Sequence, residues 1–207
     1  MRGVIIVGGE GPAPEILKNI AQDADILVAA DSGLITAESA ELKPDWILGD
    51  MDSLDDIGRL EKYPVERVLR YPTGKDFTDT ELAFKFLEEK GCDEIWIAGG
   101  GGGRIDHLFA VRSLFERDNP PDKWFTADLE IQCLRDGKYL KERRGAGSVV
   151  SVFPLGNGPW NAESSGLKWP LDGLKWDRGS FGISNLVAES SFEIHSASGR
   201  FMVIMRL

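Results

Sequence analysis

Two aspartates stand one residue apart in Gly49-Asp50-Met51-Asp52-Ser53, directly after the apolar run Trp46-Ile47-Leu48. An apolar strand that ends in carboxylates puts them at the rim of a sheet, where open α/β sheets bind their ligands. In a continuing strand Asp50 and Asp52 share one face; in a turn just past it they converge on one ion. Oxygen-only ligands of this kind suit magnesium, which keeps several waters and takes other ligands from phosphate oxygens. The competing reading is an aspartate turn that caps the segment after it. A second cluster, Asp76-Phe77-Thr78-Asp79, opens a long amphipathic segment, where Asp and Thr suit a helix start and Glu81 complements the helix dipole. Capping there uses one acid. Four carboxylates gathered at strand ends repel one another unless a cation lies between them. Asp50, Asp52, Asp76 and Asp79 are therefore expected to hold a metal, with Lys75 as a phosphate contact.

Gly99 to Gly103 form an unbroken glycine run between a predicted strand and a predicted helix, and Arg104, Asp106 and His107 follow. Such a run leaves backbone N–H groups free to approach phosphate at a helix N-terminus, and Arg104 adds a forked donor. No Lys-Ser or Lys-Thr follows the glycines, so this is not a Walker A loop, and the spacing does not match the dinucleotide fingerprint cleanly. A plain flexible connection is the competing reading, although consecutive glycines are entropically costly. Asp106 as a helix cap and His107 as a hydrogen-bonded structural residue compete with direct catalytic roles. The only two histidines, His107 and His195, lie in different halves, so a histidine metal site is not expected.

These residues need a scaffold that brings strand ends together, and the apolar pattern supplies one. Strands are expected at 4–7, 25–30, 46–48, 65–71 and 94–98, with helices from near Pro14, over 34–42, 78–90 and 106–117, and a short one at 55–62. The alternation implies an α/β domain with a mostly parallel sheet covered on both faces. After Pro120-Pro121 the texture changes. Short strands at 129–134 and 148–155, and a pair at 192–195 and 200–205 joined across Ser196-Ala197-Ser198-Gly199, read as a smaller all-β sandwich. The boundary falls near Ala127, giving residues 1–126 and 127–207. Within the second part, Trp169 or Trp176 has the flat face to stack on a heterocycle, and Ser184 or Asn185 the groups to hydrogen-bond it, although the tryptophans also read as sandwich core.

A net charge of −10 and the lack of a basic stripe oppose a nucleic-acid partner, while a nucleoside triphosphate stays accessible through a divalent cation. Cys92 and Cys133 are far apart with no metal-type spacing, which suits reduced thiols in a cytoplasmic protein. The apolar run near Met1 is too short for a signal peptide, and no run approaches membrane-spanning length.

Together, Gly49 to Ser53, Asp76-Phe77-Thr78-Asp79 with Glu81, Gly103-Arg104-Ile105-Asp106-His107, Gly166-Leu167-Lys168-Trp169-Pro170-Leu171 and Ser184-Asn185 resemble the thiamin pyrophosphokinase family, in the family's order and over nearly the whole chain. The resemblance implies an α/β nucleotide domain, a C-terminal β-sandwich, and a homodimer with thiamin sites between subunits. It implies magnesium-assisted transfer of a diphosphate from ATP to the hydroxyethyl oxygen of thiamin, releasing AMP. Carried over position by position, it makes Asp50, Asp52 and Asp79 the magnesium and catalytic positions, with Asp76 close by. Arg104, Asp106, His107 and the glycines Gly101, Gly102 and Gly103 fall to the nucleotide, with Asp31 and Ser32 at an earlier strand end. Thr78, Asp79, Trp169, Ser184 and Asn185 fall to thiamin. Ser32 stands where many members have glycine, Met51 where an aromatic or aliphatic residue is frequent, and residues 160–165 depart from the family pattern. The rival readings are a pyrophosphokinase for another flat alcohol, such as a hydroxymethylpterin, and a regulatory module that binds nucleotide and metal without turnover.

Overall fold

Uninterrupted apolar runs belong to strands covered on both faces, and in the first of them, β1 (Arg2–Val7), Val4, Ile5 and Ile6 are fully buried. The computed structural model describes residues 1–72, 74 and 76–207. The chain divides into two compact units, residues 1–114 with 124–128, and residues 115–123 with 129–207.

In the first unit β1 is followed by α1 (Pro14–Gln22), β2 (Ile26–Ala30), α2 (Gly33–Ser39), β3 (Trp46–Gly49), β4 (Val68–Arg70), α3 (Asp79–Glu89), β5 (Glu94–Ala98) and α4 (Ile105–Leu114). The strands lie in the order β5-β1-β2-β3-β4, all parallel. Because β1 has β2 on one side and β5 on the other, the winding reverses beside it, and the loops after these strands diverge to leave a crevice. Next to β5 lies β6 (Lys123–Phe125), whose Phe125 carbonyl accepts from the Gly99 amide at 2.8 Å. Helix α1 starts on Pro14, whose fixed φ suits the first turn, and buries Leu17, Ile20 and Ala21. Helix α3 is held by a full capping box: the Thr78 hydroxyl accepts from the Glu81 amide, and the Glu81 carboxylate accepts from the Thr78 amide.

The segments between β3 and α3 differ from expectation. Residues 65–71 do not form one strand: Val65–Arg67 is a 3-10 turn behind Pro64, closed by the Arg67 amide on the Pro64 carbonyl at 2.9 Å, and only Val68–Arg70 pairs. The short helix expected at 55–62 is 3-10, over Ile57–Lys62, and Asp56 caps it by accepting from the Gly58 amide.

The second unit holds β7 (Leu129–Leu134), β8 (Tyr139–Arg143), β9 (Val149–Leu155), β10 (Asn161–Ser165), β11 (Gly182–Leu186), β12 (Ser191–Ser198) and β13 (Arg200–Arg206). They form two antiparallel groups, β11-β9-β13-β7 and β10-β12-β8. Leu134, Val152, Trp176, Ile194, Phe201 and Val203 belong to the core of this unit, with Trp176 edge-on to Phe201 at 5.1 Å. The expected hairpin between 192–195 and 200–205 does not form. β12 pairs with β8 and β10, whereas β13 pairs with β7 and β9, and Gly199 alone carries the chain from one group to the other. Gly199 has φ +79°, and a Cβ there would meet Trp160 at 2.6 Å and the Pro159 carbonyl at 2.8 Å. Alternation alone marks both runs as half-buried strands and does not say which sheet each joins.

Among the described residues no helix is long and apolar enough to cross a membrane. Cys92 is buried, Cys133 is half-buried, and neither is in a disulfide.

Candidate active site

The loops at the C-terminal ends of β1, β2, β3 and β5, with the start of α3 and the length of α4 from His107 to Leu114, line a cleft of about 770 Å³ in the first unit. Its centre is acidic. Asp31, Asp50 and Asp79 each offer a carboxylate oxygen, and the three oxygens lie within 4.8 Å of one another. Asp31 leaves β2 in the left-handed region, with φ +49°, while its amide donates to the Leu48 carbonyl of β3 at 2.8 Å. Backbone strain at a non-glycine residue collects where surrounding structure enforces it, commonly at functional sites. The Asp31 Oδ1 atom is buried with no hydrogen-bond partner, and a buried carboxylate oxygen left so is costly without a cation or a donor.

Gly49, the last residue of β3, makes this convergence sterically possible. A Cβ there would stand 3.1 Å from Asp79 Oδ1 and 3.2 Å from both Cα and Cβ of Asp31, and its φ of +149° lies outside the range of ordinary side chains. Two residues on, Met51 takes a left-handed conformation, φ +67°, and buries its side chain with Ala29, Leu34, Ile47 and Leu60. The strand therefore does not continue through Asp52. The chain turns around a buried methionine, the Asp52 amide donates to Asp50 Oδ1 at 3.3 Å, and the Ser53 hydroxyl donates to Asp52 Oδ1 at 3.0 Å. Asp52 lines the cleft beside Asp50 without joining the three-carboxylate group, and the exposed Asp76 neither joins that group nor lines the cleft. Lys75 lies outside the described residues.

At the other end of the cleft the glycine run is not a free string of amides. The Gly99 amide donates to Phe125, that of Gly100 to Gly8 at 2.8 Å, and that of Gly101 to Glu10 at 2.9 Å, while the Glu10 amide returns a bond to Gly101 at 2.8 Å. The amides of Gly102 and Gly103 make no backbone bond among the described residues, which narrows the phosphate-facing donors to the end of the run next to α4. Arg104 follows, exposed, with its guanidinium forked onto Asp106: Nε to Oδ1 at 3.1 Å and Nη2 to Oδ2 at 2.5 Å. That bond, more than the charge alone, pulls the Asp106 carboxyl down to about 2. His107 lines the cleft from the first turn of α4, and Ser32 lines it at the start of α2, where its hydroxyl fills the space a side chain on Gly8 would need.

Among the lining residues not singled out in the sequence, two have large side chains exposed beside the cleft. Phe77 is exposed between the second acidic pair, and Glu10 follows the Gly8-Gly9 turn at the end of β1. The signal for Glu10 was its place after a glycine turn at a strand end. Thr78 also lines the cleft, but its hydroxyl is taken up by the capping box.

Trp169, Ser184 and Asn185 belong to the second unit. Asn185 is buried and brackets Trp169: its Oδ1 accepts from the Trp169 amide at 3.1 Å and its Nδ2 donates to the Trp169 carbonyl at 2.6 Å. The Trp169 ring is half exposed, with the Lys168 ammonium 4.7 Å from its centroid. Ser184 is exposed at a register shift in β11, in the left-handed region with φ +57°. Trp176, the other tryptophan considered for stacking, is core.

Comparison with known proteins bears on both units. The family model "Thiamin pyrophosphokinase, catalytic domain" matches residues 17–120, and "Thiamin pyrophosphokinase, vitamin B1 binding domain" matches residues 138–201. A thiamine pyrophosphokinase of Bacillus subtilis (strain 168) is 28% identical over 207 residues, covering 97% of this chain and 96% of the relative. A crystal structure of thiamine pyrophosphokinase from Bacillus subtilis superimposes with a TM-score of 0.82 at 23% identity, covering 100% of this chain and 99% of that one. One of thiamin pyrophosphokinase from Geobacillus thermodenitrificans gives 0.78 at 26% identity, with 100% and 98% covered.

Proposed function

Because the chain belongs to the thiamin pyrophosphokinase family and has that activity, we propose that ATP supplies the diphosphate and that the first unit carries out its transfer with a magnesium ion. The observation that carries this reading is the convergence of Asp31, Asp50 and Asp79 around a buried, unpartnered oxygen. Three carboxylates from three loops form an oxygen-only donor set that fits a hard divalent cation, and they would hold it against the phosphates. Bound there, magnesium supplies charge neutralisation of the phosphate oxygens. This assignment exchanges Asp76 and Asp52 for Asp31 in the metal set expected from sequence.

The remaining work falls to the chain itself. The hydroxyethyl oxygen of thiamin forms a bond to the β-phosphorus of ATP, the bridge between α- and β-phosphates breaks, and AMP leaves with the bridging electrons. Arg104 exchanges Asp106 for a phosphate, and the amides of Gly102 and Gly103 hold the same group, so that donors are in place before charge moves. Asp52, in the cleft but outside the carboxylate triad, orients the attacking hydroxyl and takes its proton. Residues 1–126 carry this chemistry, and residues 127–207 recognise thiamin through Trp169 and Ser184 and mediate dimerisation. Among the described residues the lining of this cleft comes from the first unit, and we favour a homodimer with sites shared between subunits, in the cytoplasm.

Separating the nucleotide products formed from ATP and thiamin tests the reaction. AMP appearing in equal amount to thiamin diphosphate is the expected result, and ADP would overturn diphosphate transfer. Mixing Asp50→Asn chains with chains carrying both Ser184→Ala and Asn185→Ala tests site sharing: activity returns in verified mixed dimers if each site draws on both chains, and stays absent if it does not.

A further inference from the structure

We propose that Glu10 is the ribose-reading residue of the cleft and makes the enzyme selective for ribonucleotides over deoxyribonucleotides. This inference rests on the ATP-dependent reading above.

Glu10 is fixed at its backbone and open at its head. Its amide and carbonyl form a reciprocal pair with Gly101, at 2.8 and 2.9 Å, which ties the loop after β1 to the glycine run after β5. Its side chain then lies flat along Gly102: a Cβ on that glycine would fall 2.4 Å from the Glu10 Cδ and 2.6 Å from Oε1. Gly102 also takes φ +70°, so a glycine there serves the turn and clears a bed for the Glu10 side chain. The carboxylate makes no hydrogen bond or ion pair among the described residues, and it lines the cleft. A long acidic side chain laid in place by its backbone and left without a partner has acceptor capacity to spend on a ligand.

Charge decides which part of the nucleotide that is. Phosphate oxygens are repelled by Glu10, and they are drawn instead toward Arg104 and the cation-binding triad. The neutral sugar carries vicinal hydroxyl donors, and an ionised carboxylate, which only accepts hydrogen bonds, is their complement. Two carboxylate oxygens match the two hydroxyls, and loss of either donor leaves the charged acceptor short of one bond.

The test is to compare ATP, 2′-deoxy-ATP and 3′-deoxy-ATP as substrates, and AMP against 2′-deoxy-AMP by calorimetric binding, in the wild type, Glu10→Gln and Glu10→Ala. A hydrogen bond to a charged group corresponds to about tenfold to a hundredfold in affinity. The wild type should prefer ATP over each deoxy analogue by about that factor in kcat/KM, with the same ordering in binding. Glu10→Ala should bring the ratios to within about twofold of one, and Glu10→Gln should fall between. Glu10 is exposed, so the variants should melt as the wild type does. A wild type without preference, an undiminished preference in Glu10→Ala, or a uniform loss on all nucleotides would each overturn the assignment. Failure of the underlying reading looks different: the wild type would neither bind AMP nor consume ATP with thiamin.

Discussion

Replacing Asp31 by asparagine should raise the stability of the metal-free protein while destroying its response to magnesium. Asparagine keeps the shape of the side chain and is among the few residues that accept the left-handed φ of +49° found there, so the substitution adds no backbone strain. What changes is charge. At the 4.8 Å that bounds the three carboxylate oxygens, each pair of like charges repels by about 0.9 kcal/mol in water and about 3.5 kcal/mol at an effective dielectric of 20. The substitution removes both pairs that involve Asp31 and gives the buried, unpartnered oxygen position an amide that can donate to a neighbouring carboxylate. In chelator the variant should melt higher than the wild type, by roughly 2–4 °C for each kcal/mol relieved. Magnesium at about a hundred times its Kd should stabilise the wild type by about 2.7 kcal/mol, and the variant should lose that shift. Turnover should fall on the order of a thousandfold, because the charge that holds the cation acts on the transferring phosphates. Thermal scans in chelator and in rising magnesium, run beside an assay of AMP release, read all three. A variant that is destabilised in chelator, answers magnesium as the wild type does and turns over normally would refute the assignment of Asp31 to the metal set.

Gly49→Ala should cost about 1–3 kcal/mol in urea unfolding from its φ of +149°, and it should raise the magnesium concentration needed for half-maximal turnover, since the new methyl presses on Asp31 and Asp79; an unchanged magnesium requirement would speak against the steric argument. Arg104→Lys keeps the charge and loses the fork, so turnover should drop clearly while nucleotide binding persists. An NMR titration should place the Asp106 midpoint near 2 and return it toward the ordinary carboxylate value in Arg104→Ala. Because that shift is downward, the Arg104–Asp106 pair is fully formed above the ordinary value and is lost only as pH falls through about 2. Glu130 is buried and accepts from Lys123 at 3.0 Å, Gln132 at 2.7 Å and Arg144 at 2.6 Å. Its burial raises the carboxyl pKa, but Lys123 and Arg144 outweigh that and hold it below the ordinary range. Glu130→Ala should destabilise by roughly 3 kcal/mol at neutral pH, measured by urea midpoints, and the gap to wild type should narrow in acid, where the pair is lost in both proteins.

Features governed by neighbours in sequence were legible; those governed by the meeting of distant loops were not. The parallel α/β layer followed from apolar runs alternating with helical spacing, and the α3 cap from Thr78 and Glu81 three residues apart. Asp50, Asp79 and Arg104 could be singled out because each sits in a local cluster of chemistry-bearing residues. Asp31 comes beside Asp50 and Asp79 through the pairing of β2 with β3, a register that no local pattern records, so sequence alone offered no reason to group these three. Likewise the glycine run read as a row of free amides because its partners, Gly8, Glu10 and Phe125, are remote in the chain. The hairpin expected near 196–199 failed for a related reason: a short polar turn between two alternating runs looks the same whether the chain folds back in one sheet or crosses to another.

That crossing at Gly199 has a bearing on how the chain tolerates change. Most turns between strands lengthen at little cost, since loop entropy grows slowly with length. Here Ser198 is the last residue of one strand and Arg200 the first of another in a different sheet, so there is no slack to take up an added residue. The Ser196 hydroxyl also bonds the Gly199 carbonyl at 2.7 Å, pinning the corner from the inside. A single inserted residue must be absorbed by shifting β12 or β13, and a one-residue shift turns a whole strand's buried side outward. Insertions should therefore be recovered freely at the exposed turn near Gly137 and be absent at Gly199 in any library selected for folded protein.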